Sequence, residues 1–463
     1  MGKTATCISP VDGKVYVERP LASESEAAAA LARARTAQAT WRYVPLREKQ
    51  AILSKAVDAF VAKGAEIGEE ISWQMGRPVS QTRGEIGGFE ERARHMIAIA
   101  PDSLKDIAVA PIAGFTRFIR RDPLGVVFVV APWNYPYLTA VNSVIPALLA
   151  GNAVILKHSH QTPLCAERFG EAFAAAGLPK DVFQFLHVGH DVAAQLIGSD
   201  GVDFVAFTGS VPGGHAVQEA AAKRFIATGL ELGGKDPAYV RADVNLPHAI
   251  ENLVDGAFFN SGQSCCGIER VYVHADVYKD FVDGTVAQVN TYKLGNPLEQ
   301  GTNLGPMVRA SAADFARGQV SDAVAAGAKT LIDPKHFPAN ADGTPYLAPQ
   351  VLIDVDHSMR VMTEETFGPV LGIMKVRSDD EAIALMNDSE FGLTASIWTG
   401  DEGAAVSIGD RVETGTWFMN RCDYLDPALA WTGVKDSGRG CSLSQVGFEQ
   451  LTRPKSFHLR TAI

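Results

Sequence analysis

Apolar and polar residues change their spacing several times along this chain of 463 residues. From Ser23 to about Ala100 they recur at helical intervals. SESEAAAALARARTAQATW opens on Ser23 and Glu26, the pair of a capping box, and LREKQAILSKAVDAFVAKG keeps its apolar side chains on one helical face. Between Phe115 and Val130 the pattern shifts, because FTRFIRR alternates apolar and charged residues ahead of Pro123. That alternation predicts a hairpin or edge strand that stands away from the core and reaches toward a second subunit. The runs GVVFVVAP, AVILK, VFQFLHV, FVAFTG and RFIATGLELGG follow, separated by helical segments such as TPLCAERFGEAFAAAG. Short apolar strands alternating with helices predict an α/β fold with a doubly wound parallel sheet. Beyond Glu231 a second alternation runs through VYVHADVYKDFVDGTVAQV, VLIDVD, VLGIMKV and ASIWTG, and predicts a second α/β domain. The tail from Gly440 ends in TRPKSFHLRTAI, a short alternating strand suited to pair with the earlier hairpin.

Composition narrows the function classes. With 46% hydrophobic and 21% charged residues the chain is ordinary globular protein, long enough for two or three domains. A net charge of −11, with no Lys/Arg-rich run, argues against nucleic acid or an anionic membrane as partner. The longest apolar stretches, Gly125 to Trp133 and Val144 to Leu156, are too short for a bilayer, and MGKTATCISPVDG lacks a basic-then-apolar leader. A soluble, cytoplasmic protein is expected. Its six cysteines form no CxxC pair and no regular framework, which fits reduced thiols.

The richest stretch for chemistry is FFNSGQSCCGIERVYV, Phe258 to Val273, where Cys265 and Cys266 sit between a Gly-Gln turn and a β-branched strand. A loop thiolate there suits attack on a carbonyl carbon, and small buried core residues fit the same pair. The first sheet is expected to bind a nucleotide at the carboxyl ends of its strands. No GxGxxG is present; the nearest turn is FTGSVPGG, Phe207 to Gly214, whose amides can approach a pyrophosphate or simply form a structural loop. Lys157 at the end of AVILK either reaches a ribose or phosphate or is solvated.

Taken together, APWNYP, GNAVILKHS, FTGS, LELGGKDP, FFNSGQSCC, EETFGP and GVKDSGRG resemble, in order and interval, the aldehyde dehydrogenase superfamily over roughly Asp12 to Arg460. The resemblance implies a Rossmann-like cofactor domain over residues 1–104 and 124–230 and a catalytic domain over 231–425. It also implies an oligomerisation hairpin and tail over 105–123 and 441–463, with 426–440 as a return segment. A homodimer or homotetramer acting on a small aldehyde follows. The family pattern NxGQxC falls on Asn260, Gly262, Gln263 and Cys265, so the implied nucleophile is Cys265, with Cys266 a neighbour. LELGGKDP implies Glu231 as general base, and PWNYP implies the Asn134 amide as oxyanion donor, beside Tyr135 on the substrate side. The implied reaction oxidises the aldehyde to the acid through a thiohemiacetal and a thioester on Cys265. A CoA-acylating enzyme is an alternative, disfavoured because thiolysis needs no water-activating Glu231. A non-catalytic relative is another, disfavoured because thiol, amide and carboxylate are all present.

For the cofactor, EETFGP implies that Glu365 holds the nicotinamide ribose with Phe367 packed nearby, and Trp133, Lys157, Gly209, Ser210 and Gly214 match adenosine and pyrophosphate contacts. Where many NAD-preferring relatives have KPxE, this chain reads Lys157-His158-Ser159-His160. A carboxylate there repels a 2′-phosphate; His160 does not, and attracts it if protonated. NAD with tolerance for NADP is expected. The His158/His160 spacing lacks further ligands, so no metal site is expected and both are read as surface histidines. In relatives that oxidise succinate semialdehyde an arginine near the position of Asn142 holds the distal carboxylate, and the amide here argues against that substrate. The loop MNRCDYLDPALAWTG offers Arg421 for an anion, Asp423 and Asp426 for an ammonium, and Tyr424 with Trp431 for apolar contact. Ala430 and Thr432 replace residues that are often proline and glycine, so its path is expected to differ.

Overall fold

Val126–Ala131 (β1, VVFVVA) and Ala153–His158 (β2, AVILKH) are apolar along nearly their whole length, the composition of strands covered by helices on both faces. In the computed structural model, which describes residues 3–463, they pair in parallel from Val126 opposite Ala153 to Ala131 opposite His158. Phe183–Phe185 (β3) adds to β2, while Phe204–Thr208 (β4) and Ala227–Glu231 (β5) add on the other side of β1. The parallel order is therefore β5-β4-β1-β2-β3, and Gly438–Arg439 closes the far edge antiparallel to β5. Strand order reverses at β1, so the loops leaving β1 and β4 splay apart and open a crevice at the carboxyl ends.

The helical entry region forms four helices, and the first, Glu24–Trp41, begins at the expected capping box. The Glu26 amide donates to Ser23 Oγ at 3.3 Å and the Ser23 amide donates to the Glu26 carboxylate at 2.8 Å. Ahead of it, Thr4–Ile8 and Val15–Pro20 pair as an antiparallel hairpin that the spacing did not announce. The fourth helix, Val79–Ser103 (α1), buries Ile86, Phe89, Ala93, Met96, Ile97 and Ala100 at helical spacing and packs on Pro136–Ala150 (α2). Val211–Ala221 (α3) follows β4.

The chain leaves the first sheet at Glu231 and enters a second at Asp236. There Asp236–Val240 (β6), Ile268–His274 (β7), Gln350–Ile353 (β8), Val370–Val376 (β9), Thr394–Trp398 (β10) and Thr416–Met419 (β11) run parallel in the order β8-β9-β7-β6-β10-β11. Leu246–Phe258 (α4) connects β6 to the cysteine loop. Phe115–Pro123 and Thr452–Arg460 pair antiparallel through all nine of their positions, with Phe118 and Phe457 stacked at 4.6 Å. Ile107–Ala108 pairs on the other side. Phe115–Pro123 is thus the central strand of three: the tail pairs with it as its alternating pattern predicts, and the long free edge belongs to the tail. Among the described residues no helix is long and apolar enough to cross a membrane.

Candidate active site

After α4 the backbone turns through two consecutive left-handed residues, Asn260 (φ 53°) and Ser261 (φ 57°), followed by Gly262 (φ 69°). A Cβ at Gly262 would lie 2.2 Å from the Gly368 carbonyl oxygen, so only glycine fits. Left-handed non-glycine residues cost of order 1–3 kcal/mol each and persist only where neighbours over-determine them. Here they do. Arg77 Nε donates to Asn260 Oδ1 at 3.1 Å, Asn260 Nδ2 donates to the Gln263 carbonyl at 3.1 Å, and Ser261 Oγ donates to the Gly305 carbonyl at 2.8 Å. Gln263 is fixed by its side chain, which donates to the Asn260 carbonyl at 3.1 Å and accepts from the Val308 amide at 2.8 Å. The loop leaves Cys265 partly exposed and Cys266 buried. The Cys266 thiol donates to Asp423 Oδ1 at 3.0 Å; its hydrogen bond with Cys265, then burial, push it well above the ordinary thiol range. Burial pushes Asp423 up to about 6.

Asn134, in the loop between β1 and α2, is fastened to this turn. Its Nδ2 donates to the Gln263 carbonyl at 3.3 Å, and its own carbonyl accepts from Asn260 Nδ2 at 3.3 Å and from Arg77. Arg77 is held in turn by Glu85 on α1, and both side chains are fully buried. The other oxygen of Glu85 accepts the amides of Tyr137 and Leu138 at 2.8 and 3.0 Å, so it caps the start of α2, where Tyr135 supplies no cap. One ion pair therefore ties α1, α2, Asn134 and the cysteine loop together.

Glu231, the last residue of β5, is partly buried, with Oε1 accepting from Ser442 at 2.6 Å and Oε2 from Thr208 at 3.2 Å. Burial raises its pKa above the ordinary glutamate range; the two hydroxyls, and Arg92 nearby, oppose the rise. Glu231 and Cys265 face one cavity of about 270 Å³, walled also by Thr208, Tyr135, Asn142 and Trp431.

On the crevice side, Trp133 and Phe367 meet edge-on at 5.6 Å, which brings the PWN and EETFGP segments together. The Gly234 amide donates to Glu365 at 3.0 Å, and a Cβ at Gly233 would strike the same carboxylate at 2.5 Å. Burial, then the charge of Glu269, push Glu365 up to about 8. Lys157 is buried rather than solvated; its one hydrogen bond among the described residues is to the carbonyl of His158 at 3.4 Å, and burial pushes it down to about 8. A buried ammonium without a carboxylate partner at the carboxyl end of β2 fits a ribose or phosphate, and a nicotinamide dinucleotide suits this set of groups. Ser210 caps α3, accepting from the Gly213 amide at 3.3 Å. At Gly209 and Gly214 a Cβ would lie 2.7 Å from the far ends of the Phe207 and Leu232 side chains, which would have to shift to admit it.

The profile of the Aldehyde dehydrogenase family matches residues 1–457. The chain belongs to the aldehyde dehydrogenase family. It is 32% identical over 453 residues to a succinate-semialdehyde dehydrogenase [NADP(+)] of Mycobacterium tuberculosis, covering 97% of this chain and 98% of that one. Among solved structures it is similar to an NADP-dependent glyceraldehyde-3-phosphate dehydrogenase of Bacillus halodurans complexed with NADP, with TM-score 0.93, 32% identity and coverage of 100% and 96%. It is also similar to an NAD-dependent aldehyde dehydrogenase of Sinorhizobium meliloti, with TM-score 0.94, 31% identity and coverage of 100% and 92%. The chain is an oxidoreductase that oxidises an aldehyde to the carboxylic acid with NAD(P)+.

Several expectations about this aldehyde dehydrogenase change in three dimensions. His158 is not on the surface: it is buried, its Nε2–H donates to the Pro136 carbonyl at 3.0 Å, and its Nδ1 accepts from the Ser159 amide and from Thr162 at 3.0 Å. Burial pushes it down to about 4. His160 is half-buried, its Nε2–H donates to the Val188 carbonyl at 2.9 Å, and burial lowers its pKa. It is neutral at physiological pH, so attraction of a 2′-phosphate by a protonated His160 is withdrawn; the absence of a repelling carboxylate stands. Arg421 is exposed, stacks 3.5 Å over the Tyr424 ring and does not line the cavity, and Asp426 is exposed as well. Tyr424 does line it, donating to Glu91 at 2.8 Å, and Trp431 is buried. The backbone of Trp431 pairs with Ser442, the residue that holds Glu231.

Sequence reasoning missed Arg77, Glu85, Arg92, Thr208 and Ser442. Two of these carried a signal: Glu85 and Arg92 fall on the apolar stripe of α1 with Phe89 and Met96, where a charged residue needs a partner or a purpose. Nothing near Ser442 distinguishes it from an ordinary turn.

Proposed function

We propose that Cys265 is the nucleophile, Glu231 the general base and Asn134 the oxyanion donor. The carrying observation is that Cys265 and Glu231 line one cavity, while Asn134 is bolted to the cysteine loop. Cys266 is unsuited to attack, because its thiol is buried and committed to Asp423. The Cys265 thiolate adds to the aldehyde carbon, and the Asn134 amide and the Cys265 N–H stabilise the resulting oxyanion, each donor worth about 3 kcal/mol in the transition state. A nicotinamide dinucleotide held in the crevice would supply the acceptor for the hydride this carbon gives up as the oxyanion collapses to a thioester on Cys265. Glu231 then takes a proton from water, which attacks the thioester carbon, breaks its bond to sulfur, and frees the acid and the Cys265 thiolate; a carboxylate whose pKa is raised by burial is a competent base near neutrality.

Trp133, Lys157, Gly209, Ser210, Gly214, Glu365 and Phe367 hold the dinucleotide, with NAD used and NADP tolerated because neutral His160 stands where a carboxylate would repel the 2′-phosphate. Relatives named for NADP and for NAD support both uses. The protein works in the cytoplasm as a homodimer or homotetramer, a reading supported by free thiols at Cys265, Cys266 and the other cysteines and by the unpaired edge of Thr452–Arg460 with Leu459 exposed. NADH formation should appear with a panel of aldehydes and vanish in Cys265→Ala, while dinucleotide binding by fluorescence persists. Glu231→Gln should accumulate an acyl-enzyme visible by mass spectrometry. Product independent of added CoA is expected; a CoA thioester would point to the acylating reaction. Turnover by Cys265→Ala would overturn the assignment.

A further inference from the structure

Every carboxylate on the cavity wall already has protein donors. Glu85 is neutralised by Arg77 and holds two amides of α2, Asp423 accepts from Cys266 and from Ser264 at 3.2 Å, Glu231 accepts from Ser442 and Thr208, and Glu91, at the exposed mouth, accepts from Tyr424. Arg92 is the opposite case. It projects from the buried stripe of α1 into the same cavity, is only 8% exposed, and forms no ion pair among the described residues. Its hydrogen bonds use a single nitrogen, Nη1, which donates to the Leu138 carbonyl at 2.8 Å and to Asn142 Oδ1 at 3.3 Å. Because arginine can only donate, Asn142 must turn its oxygen to Arg92 and its Nδ2 elsewhere. That Nδ2 is buried and has no hydrogen-bond partner among the described residues. A desolvated guanidinium with no carboxylate in direct contact, its neighbours Glu85 and Glu231 being held by other donors, stands beside an unmet amide donor on one wall, and the missing component is an acceptor with negative charge.

We propose that Arg92 and Asn142 bind a carboxylate at the far end of the aldehyde substrate, so that the enzyme acts on an ω-oxocarboxylate. This rests on the reading that Cys265 attacks the aldehyde in this cavity. The absence of arginine at position 142 does not exclude such a substrate, because the cation comes from α1 instead and uses the Asn142 oxygen as its brace. One carboxylate oxygen meets the unused guanidinium N–H groups and the other meets Asn142 Nδ2. The aldehyde end is thereby set toward Cys265 on the same wall.

The test compares kcat/KM of the wild-type holoenzyme for unbranched ω-oxoalkanoates of about four to six carbons with that for alkanals of equal length. The ratio should favour the oxoalkanoate at least thirtyfold, with the difference in KM. Arg92→Met should reduce that ratio toward unity. Should Arg92→Met fail to fold, Asn142→Asp serves, since it keeps the shape, pairs with Arg92 and fills the site with the protein's own carboxylate; it too should erase the preference. Glutarate binding to the NAD-loaded wild type, measured by calorimetry, should be lost in the same variants. Equal efficiency with both series, or a preference untouched by either variant, overturns the carboxylate site while leaving the aldehyde reaction in place. Oxidation of neither series, with glutarate still bound through Arg92, strikes the catalytic reading and spares the site.

Discussion

Replacing Glu85 should loosen the cysteine loop and the first turn of α2 together, although Glu85 touches neither Cys265 nor Glu231. Its side chain and that of Arg77 are 0% and 1% exposed. In Glu85→Ala the guanidinium keeps its charge in a buried place without a counter-ion, a loss of about 3–5 kcal/mol for a broken buried pair. The amides of Tyr137 and Leu138 lose their acceptor as well, at about 1–3 kcal/mol for each group that water from the cavity does not reach. Part of that cost reappears as movement of Arg77, which holds Asn260 Oδ1 and the Asn134 carbonyl. Hydrogen exchange is the local assay. Tyr137, Leu138 and the amides around Gln263 should exchange at least tenfold faster, the denaturant midpoint should fall, and kcat/KM should drop on the order of a hundredfold, since a small misplacement of the oxyanion donor is enough. Arg77→Met/Glu85→Leu removes both charges and should recover most of the lost stability but little of the activity, because the clamp on Asn260 is gone. Strictly additive stability losses in the double variant, or unchanged exchange at Tyr137 in Glu85→Ala, would refute the reasoning.

The kcat–pH profile should rise along a limb above the ordinary glutamate range as Glu231 ionises, and Ser442→Ala should shift that limb to higher pH by removing a donor to the ionised form. Glu365, pushed up to about 8, binds its proton more tightly in the folded than in the unfolded protein, so it costs stability progressively as pH rises from its unfolded value toward about 8. Glu365→Gln should accordingly raise the apo-enzyme's Tm near pH 8 and give little or no gain near pH 4.5; a gain independent of pH would contradict the burial argument. For cofactor choice, His160→Glu should lower the NADP-to-NAD ratio of kcat/KM at least tenfold, and because burial lowers the pKa of His160 the wild-type ratio should change little between about pH 7 and pH 8.

How much of this was legible in the chain varied with the range of the interaction. VVFVVA and AVILKH could hardly be anything but strands buried on both faces, and Ser23 with Glu26 marks a helix start through contacts three residues apart. The positions proposed as nucleophile, base and oxyanion donor were readable because the motifs around Cys265, Glu231 and Asn134 are local strings. His158 read as a surface residue because nothing adjacent in sequence shows that α2 lays the Pro136 carbonyl against its ring. The pairing of Phe115–Pro123 with the tail was legible despite the distance in sequence, because both segments carry the same alternating strand pattern.

By itself, then, the sequence determined the alternation of strands and helices, the chemical identity of the groups proposed to react, and the lack of a carboxylate at His160. Tertiary structure alone decided which charges meet a partner: Arg77 finds Glu85 across eight residues of chain and a helix boundary, whereas Arg92, on the same helix as Glu85, finds only carbonyl oxygens. Spacing governs which face a side chain occupies, but the free energy of a buried charge depends on what stands opposite it, and that is set by the packing of elements distant in the chain.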